Sequence, residues 1–286
     1  MRDVISPVRT LTDRIWVTFV WVVTGFFIVN LFAMIGTVIV SSLGTRWLGT
    51  WLPAGWTGNW YLSAWDEFQL GDLLTVTFEV VFAVVALSGL IGIPAAYALA
   101  RRDFPGKRVV MLLLLLPLII PPITYGIPLA TVLYVTGLGG TLNGVILANL
   151  VPALPFVVLV MIPFIEQIDP RVEDAARVFG ANTFRLFWHV LLPLLLPGAL
   201  AALLLVLVRT IAMFELTFLT AGPGDQTLVV ALYYAVFAAG VRAVQSIDAM
   251  AVVYMLTTLV WLIVALRFVN PTQMVTRGKQ QQTDNG

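Results

Sequence analysis

Three charged residues interrupt apolar stretches that are long enough to cross a membrane: Glu79, Arg209 and Glu215. A charge inside a bilayer costs roughly 3 kcal/mol on insertion scales unless it is paired or faces water. The Glu215 carboxylate could attract an ammonium group, or it could brace a neighbouring helix by hydrogen bonding. Arg209 precedes it by six residues, roughly 600° around one continuous helix, so the two side chains would not share a face. Glu79 is the other candidate partner of Arg209.

Tyr125 is a fourth candidate, because it follows a pair of prolines in an otherwise apolar segment. Pro121 and Pro122 remove backbone donors, and Gly126 frees the chain, so we expect the helix to unwind here. Broken helices often line polar paths through membrane bundles. The alternative is an ordinary kink in a packed bundle, and the sequence leaves both open.

Composition restricts the chemistry that this chain can carry. Only 11% of its 286 residues are charged and 60% are hydrophobic, whereas soluble domains average about 25% charged residues, so lipid is the expected solvent. Cysteine is absent and His189 is the single histidine, which argues against disulfides, thiol catalysis and a zinc site or triad built within the chain. The net charge of +1 gives no basic surface for nucleic acid. We expect no cofactor or metal bound by this chain.

Six apolar segments predict an all-α membrane protein with six transmembrane helices. A tryptophan-rich stretch follows the first segment and should lie at the membrane surface, as a loop or a shallow helix. A shorter apolar run at 228–244 is interrupted and predicts a short or re-entrant element. The first segment is long enough to be a retained helix rather than a cleaved signal. The segments cover about 15–40, 73–99, 109–135 (broken by prolines), 142–165, 190–219 and 249–268.

The distribution of basic residues predicts the orientation of the spans. With six spans, 13 of the 16 Lys and Arg residues fall on the side of the two termini, which places both termini in the cytoplasm. The predicted organisation is a cytoplasmic segment 1–14, a first span with an external tryptophan-rich segment 15–72, a core 73–268, and a polar tail 269–286 that is predicted to be disordered.

The connection 166–190, between the fourth and fifth spans, is predicted to carry function. Small and apolar residues alternate there with charged ones at helical spacing, and Gly180 interrupts the pattern. We therefore expect two short helices that meet near Gly180 outside the membrane. Such an element suits docking into a groove of a partner protein. An amphipathic helix lying on lipid headgroups is the alternative.

The same connection resembles the signature of ABC importer permeases: Glu-Ala-Ala, three residues, Gly, nine residues, then Ile-x-Leu-Pro. This chain has Asp174-Ala175-Ala176, then Gly180, then Val190-Leu191-Leu192-Pro193, with every spacing matched. Asp174 replaces Glu and Val190 replaces Ile, while the adjacent Glu173 could share the acidic role. The resemblance extends over about 73–268 and includes a basic loop at 101–107.

The resemblance implies a type I importer permease fold in the bacterial cytoplasmic membrane, with a coupling helix that sits in a cleft of a cytoplasmic ATPase. Further implied partners are a second permease, most simply as a hetero-pair, a second ATPase subunit and a periplasmic or lipid-anchored substrate-binding protein. The chain lacks the Gly-x-x-x-x-Gly-Lys-[Ser/Thr] phosphate loop, so ATP and Mg²⁺ would act through the ATPase, and this chain is not expected to be an enzyme. The implied ATPase-coupling residues are Glu173, Asp174, Ala175, Ala176, Gly180 and Ala181.

The solute is predicted from weaker resemblance. The stretches 168–170, 214–215 and 220–223 are similar to spermidine and putrescine permeases, with sugar or polyol import as the alternative. Two other classes are less compatible with the sequence. A stand-alone secondary transporter predicts inverted repeats or midplane acidic sites and would leave the coupling motif unexplained. An intramembrane enzyme would need a constellation such as Ser/His, which one interfacial histidine does not provide.

Overall fold

The computed structural model describes residues 11–47, 50–237 and 242–268, and helices account for most of them. The tail 269–286 and most of segment 1–14 lie outside the described residues. The helices are α1 (Leu11–Leu43), α2 (Asn59–Glu67), α3 (Leu70–Arg101), α4 (Lys107–Ile119), α5 (Pro122–Val135), α6 (Leu142–Glu166), α7 (Pro170–Val178), α8 (Thr183–Leu186), α9 (Leu192–Ile211), α10 (Glu215–Thr220), α11 (Leu228–Phe237) and α12 (Val244–Phe268), with a π-helical turn at Phe187–Leu191 between α8 and α9.

The predicted helical membrane fold has five to six candidate spans within the described residues. Five helices are individually long and apolar enough to cross a membrane, and α4 with α5, whose axes are bent by 102°, gives a sixth if the pair is counted as one broken span. The break falls at Ile120 and Pro121, where the proline pair removes two backbone donors. Tyr125 therefore lies in the first turns of α5, directly after the predicted break.

The fifth span differs from its prediction as one helix over 190–219. A continuous helical segment runs from Thr183 to Ile211, and a separate short helix, α10, begins only at Glu215. The expectation that Arg209 and Glu215 are separated by rotation around one helix is therefore wrong. The apolar run has no proline or glycine at the break, so hydropathy cannot locate it. The break instead coincides with tertiary packing, because Met213 and Leu216 are buried in one cluster with Leu133 of α5 and Ala148 of α6.

The described residues form two compact units, and α12 contributes to both. In the larger unit, which includes α3 to α11, the main core lies where α3, α6 and α9 pack together around Val84, Val157, Met161 and Leu195. Small residues allow this close approach: a Cβ added at Gly92 of α3 would lie 2.9 Å from Cγ1 of Val157. Membrane helices commonly associate through such small residues.

The smaller unit contains α1, α2, the turn between them and the start of α12. Helix α1 is apolar and its described side chains are largely exposed within this chain, as expected of a span that faces lipid or another subunit. In the tryptophan-rich stretch, residues 43–46 pair with residues 54–57 through backbone hydrogen bonds. Helix α2 follows, and its Trp60 Nε1 donates to the Gly44 carbonyl at 2.8 Å. Trp51, Trp56 and Trp65 are exposed, in keeping with the predicted surface position.

Candidate functional site

The connection between α6 and α9 forms two short helices, as the sequence predicts. Helix α7 starts with Pro170 in its first turn, and Asp169 Oδ1 accepts a hydrogen bond from the Arg171 amide at 2.9 Å. Asn182 Oδ1 caps α8 in the same way, accepting from the Arg185 amide at 2.8 Å. Each side-chain cap satisfies an otherwise orphaned amide, so the start of each helix is fixed locally.

Gly180 produces the turn between α7 and α8. Its φ is +81°, in the left-handed region that only glycine adopts at little cost. The Gly180 amide donates to the Arg177 carbonyl at 2.9 Å, and the Ala181 amide donates to the Ala176 carbonyl at 3.0 Å. This is the hydrogen-bond pattern of a Schellman motif, so the backbone conformation explains why a glycine is favoured at this position. An added Cβ would meet no atom within 4 Å, and its cost would therefore be backbone strain rather than a clash.

Glu173 points into the protein and is bound to the C-terminal end of α3. Its Oε1 accepts from Arg101 Nε at 2.7 Å, and its Oε2 accepts from the Tyr97 hydroxyl at 2.6 Å. Arg101 Nη2 also donates to the Ile168 carbonyl at 2.6 Å. Glu173 is only 6% exposed. We call Tyr97, Arg101 and Glu173 the clamp.

The outer face of the loop presents a different set of side chains. Asp174 and Ala175 are exposed and Ala176 and Ala181 are half-buried, while Val178 is 85% and Phe179 91% exposed. The predicted docking set is thus divided: Glu173 faces inward, whereas Asp174, Ala175 and Gly180 face outward. Apolar residues therefore flank the motif glycine on a surface that the described residues leave exposed.

Inside the membrane, the two helix breaks bring three of the four predicted pathway residues into one region. Tyr125 packs against the cluster that contains Met213 and Leu216, at the α9–α10 break, and it lies within electrostatic range of Arg209 and Glu215. We call Tyr125, Arg209 and Glu215 the span-break cluster. This grouping was not predicted from the sequence, because 190–219 was predicted to be one continuous helix.

Polar groups in the span-break cluster are poorly satisfied. The buried Tyr125 hydroxyl has no hydrogen-bond partner within the described residues. The Arg209 guanidinium lies 5.3 Å from the centre of the Phe156 ring, a cation–π contact. In the part of the chain that the structure describes, neither Arg209 nor Glu215 forms an ion pair or a side-chain hydrogen bond.

Glu79 is not part of this cluster. It is exposed on α3, and no ion pair between Glu79 and Arg209 is present in the described residues. The pairing of Glu79 with Arg209 that the sequence left open is therefore not formed. Beside Arg209, a cavity of about 10 Å³ is lined partly by Asn149 and Met213. It has room for about one water molecule, so this cavity of the described residues is too small for a solute.

A known family covers most of the region described above. The family described as "Binding-protein-dependent transport system inner membrane component" matches residues 88–272. The chain belongs to this family. As a permease of this family, it carries the motif Asp174–Gly180 and both helix breaks inside the matched region.

Individual relatives agree with this assignment. The chain is similar to the diacetylchitobiose uptake system permease protein NgcG of Streptomyces coelicolor, with 34% identity over 150 residues that cover 52% of this chain and 50% of that protein. It is 29% identical to the sulfate transport system permease protein CysW of Synechocystis, covering 57% of this chain and 63% of that protein. It is 34% identical to the molybdenum transport system permease protein ModB of Haemophilus influenzae, covering 48% of this chain and 67% of that protein. The chain thus spans about half to two thirds of the length of these relatives.

Solved structures show the same fold. A chain of a bacterial ABC transporter that imports the acidic polysaccharide alginate matches with a TM-score of 0.76 and 19% identity, covering 92% of this permease and 99% of that chain. A chain of the MetNI methionine ABC transporter matches with a TM-score of 0.56 and 19% identity, covering 68% and 90%. The predicted type I importer permease fold is confirmed.

Two members of the clamp were not predicted as site residues. Arg101 was interpreted only as part of a basic cytoplasmic loop, and Tyr97 was not considered. Their spacing of four places both on one face of α3, which is a signal for a shared partner. That partner lies 72 residues away along the chain from Arg101, and one sequence without co-varying relatives cannot identify such a distant contact.

Proposed function

We propose that this permease forms half of the translocation pathway of an ATP-driven importer and is coupled to a cytoplasmic ATPase through the loop around Asp174–Gly180. The observation that carries the proposal is the outward-facing surface of that loop, in a chain that belongs to the binding-protein-dependent transport family. Asp174, Val178 and Phe179 are exposed there on a capped, locally fixed scaffold.

The surface has the composition of a protein interface. Val178, Phe179 and Phe184 supply exposed apolar area, and charged residues including Arg171 and Arg177 are exposed around them. Protein interfaces typically combine an apolar centre with a polar rim. Ala175 adds a small side chain that allows close approach of a partner backbone. A helix lying on lipid headgroups would share the apolar residues, so an experiment has to separate the two.

The remaining partners follow from the same proposal. ATP and Mg²⁺ would bind the ATPase subunits, since this permease has no phosphate loop. A solved alginate importer, similar in fold, is in complex with an alginate-bound periplasmic protein, which supports delivery of solute by a binding protein. Synechococcus elongatus has both a CysT and a CysW sulfate permease protein that match this chain, which supports a hetero-pair of permeases. Both termini would lie in the cytoplasm, and the remaining surface of the spans would face lipid.

For the solute, we retain the polyamine hypothesis as the proposal to be tested first, with sugar or polyol as the alternative. Glu215 supports a cationic solute, because no partner within the described residues neutralises its carboxylate by an ion pair. The bracing role that the sequence left open for Glu215 finds no hydrogen bond in the same residues. The relatives named above are assigned to diacetylchitobiose, sulfate and molybdenum, and they give no support to a polyamine.

Cysteine cross-linking tests the docking proposal directly, because the chain has no cysteine of its own. In the complete complex, Val178→Cys should cross-link to an ATPase subunit with a short bifunctional reagent. Asp103→Cys is the matched control: its side chain is fully exposed in the other predicted cytoplasmic loop, outside the proposed docking surface. The proposal would be contradicted if Val178→Cys did not cross-link to an ATPase. It would also be contradicted if a lipid-phase reagent labelled Val178→Cys as efficiently as the cross-linking reagent joins it to an ATPase.

The solute is tested by stimulation of ATPase activity in the reconstituted complex with its own binding protein. The panel should contain spermidine, putrescine, diacetylchitobiose, simple sugars and polyols, sulfate and molybdate. Stimulation by a polyamine alone would support the cationic proposal. Stimulation by a sugar or an oxyanion would reject that proposal while leaving the permease function intact.

A further inference from the structure

The clamp connects the loop to α3 through side-chain hydrogen bonds. Glu173 of α7 receives hydrogen bonds from two residues of α3, and Arg101 of α3 binds a second time, to the Ile168 carbonyl just before α7. All three contacts are 2.6–2.7 Å long. The helix that carries the docking surface is therefore bound to α3 on the side opposite that surface.

The position of the clamp within the fold allows its movement to affect more than one span. Helix α3 packs against α6 and α9 in the main core, so a displacement of its end is not confined to one span. Tyr97 also packs edge-on against Phe187, with ring centroids 6.3 Å apart. Phe187 starts the π-helical turn that leads into α9. One cluster thus joins the loop, α3 and the beginning of the fifth span.

The chemistry of the clamp favours a rigid connection. The side chains of Arg101 and Glu173 are 15% and 8% exposed, so water screens their attraction far less than at a surface pair. Both carboxylate oxygens of Glu173 accept a hydrogen bond, and Arg101 uses two separate nitrogens. Removing one partner of such a buried pair leaves an uncompensated charge and is strongly destabilising.

We infer that the clamp of Tyr97, Arg101 and Glu173 is the element that transmits movement of the ATPase-docking helix α7 to α3, and thus couples ATP hydrolysis to solute movement. Glu173 and Asp174 then have separate tasks although they are neighbours: Asp174 faces the partner, and Glu173 holds the loop to the spans. The inference rests on the proposed docking function of the loop, and it assigns positioning roles to residues that contact neither ATP nor solute.

The test uses the complete reconstituted complex, in which ATP hydrolysis and solute uptake are both measured. The variants are Arg101→Gln, Glu173→Gln, the double variant, and the conservative Arg101→Lys. We expect uptake per ATP hydrolysed to fall about tenfold or more in either Gln variant, because the interior keeps a charge without its partner. Arg101→Lys should recover part of the loss by restoring the charge while losing one of two hydrogen bonds. The double variant should cost much less than the two single effects combined, as expected of directly interacting residues.

Three controls distinguish a loss of transmission from a loss of folding or docking. The matched control is Asp103→Asn, which breaks the exposed Asp103–Lys107 pair at the same end of α3 and should leave the uptake per ATP unchanged. Folding is monitored by the amount of assembled complex and its thermal midpoint. Docking is monitored by the Val178→Cys cross-link, introduced into each variant. Assembled, cross-linked complexes that hydrolyse ATP but import poorly are the expected result.

The inference would be overturned if the Gln variants kept the wild-type uptake per ATP, or if uptake and hydrolysis fell together in proportion to lost assembly. Failure of the proposed function gives a different result: the Val178→Cys protein without any clamp substitution would then not cross-link to an ATPase at all.

Discussion

The clamp and the span-break cluster are both polar groups set in apolar surroundings, but their hydrogen bonding is opposite. In the clamp, Glu173 and Arg101 use several polar atoms in short contacts within the chain. In the span-break cluster, the Tyr125 hydroxyl is buried without a partner, and Arg209 and Glu215 form no ion pair within the described residues.

This difference indicates what each region is for. A satisfied buried network fixes one geometry, because every alternative breaks a hydrogen bond in a low-dielectric setting. Unsatisfied polar groups are costly in the free chain, and they gain most when water, solute or another subunit supplies the missing partner. We therefore propose transmission as the role of the clamp and solute or subunit contact as the role of the span-break cluster. The predictions below test that division.

The largest effect is expected from Gly180→Leu, which alters the docking surface without touching the clamp. A leucine at φ +81° incurs roughly 1–2 kcal/mol of left-handed strain, so the turn between α7 and α8 should rearrange. Uptake by the reconstituted complex should be lost, while the membrane fold and the thermal midpoint stay near those of the wild type.

Two variants serve as controls for that result. Gly180→Asn should retain much of the uptake, because asparagine tolerates the left-handed region better than leucine. Gly224→Leu introduces the same side chain at a glycine that also has open space but no positive φ, and should leave uptake intact. Wild-type uptake by Gly180→Leu would reject the coupling-helix assignment.

The second effect concerns the span-break cluster. Glu215→Gln removes the charge and keeps the size, so a cationic solute should lose attraction in the pathway. We expect the half-saturating solute concentration for uptake to rise about tenfold, equivalent to roughly 1.4 kcal/mol, with the basal ATPase rate unchanged. Glu79→Gln is the matched control, since Glu79 lies exposed on α3 outside the cluster. An equal shift in both variants would show that Glu215 acts only through general electrostatics.

Much of the fold could be predicted from the sequence because the bilayer imposes it. Span length follows from hydrocarbon thickness, which is why hydropathy alone predicted the helices that are long and apolar enough to cross a membrane. The proline pair at 121–122 located the break between α4 and α5, since proline cannot donate a backbone hydrogen bond. The break at 212–214 has no such local signal. It depends on the packing of Met213 and Leu216 against α5 and α6, which one sequence does not reveal.

The candidate site, like the fold, could be predicted only in part. Motif spacing placed the loop and its glycine correctly, because a left-handed turn after a short helix has a local sequence signature. The direction of each side chain was not predictable. Glu173 and Asp174 are adjacent acids of similar chemistry, and only the tertiary contact with Tyr97 and Arg101 turns one inward. The grouping of Tyr125 with Arg209 and Glu215 was likewise hidden by the unrecognised break.

The third effect is on stability and uses a satisfied residue beside the cluster. Asn149 of α6 is 2% exposed, and its amide donates to the Val145 carbonyl at 2.9 Å and to Thr217 Oγ1 of α10 at 3.2 Å. Asn149→Ala should destabilise the protein by about 1–2 kcal/mol, since it removes a buried hydrogen bond between helices and leaves Thr217 without that donor. Thermal unfolding of the purified complex measures this. A midpoint equal to the wild type would show that α10 is not held by this contact.

The smallest stability effect is expected from Tyr125→Phe, and its value lies in the contrast with Asn149→Ala. The Tyr125 hydroxyl has no partner to lose within the described residues, so its removal should leave the thermal midpoint unchanged or raise it slightly, because an unsatisfied buried group is a cost. Uptake should fall nonetheless if the hydroxyl contacts solute or the second permease during transport. An Ile123→Val variant, at an exposed position on the same helix, controls for general sensitivity of α5. A clear loss of stability in Tyr125→Phe would mean that the hydroxyl is satisfied in the assembled permease, and that the span-break cluster is a structural network like the clamp.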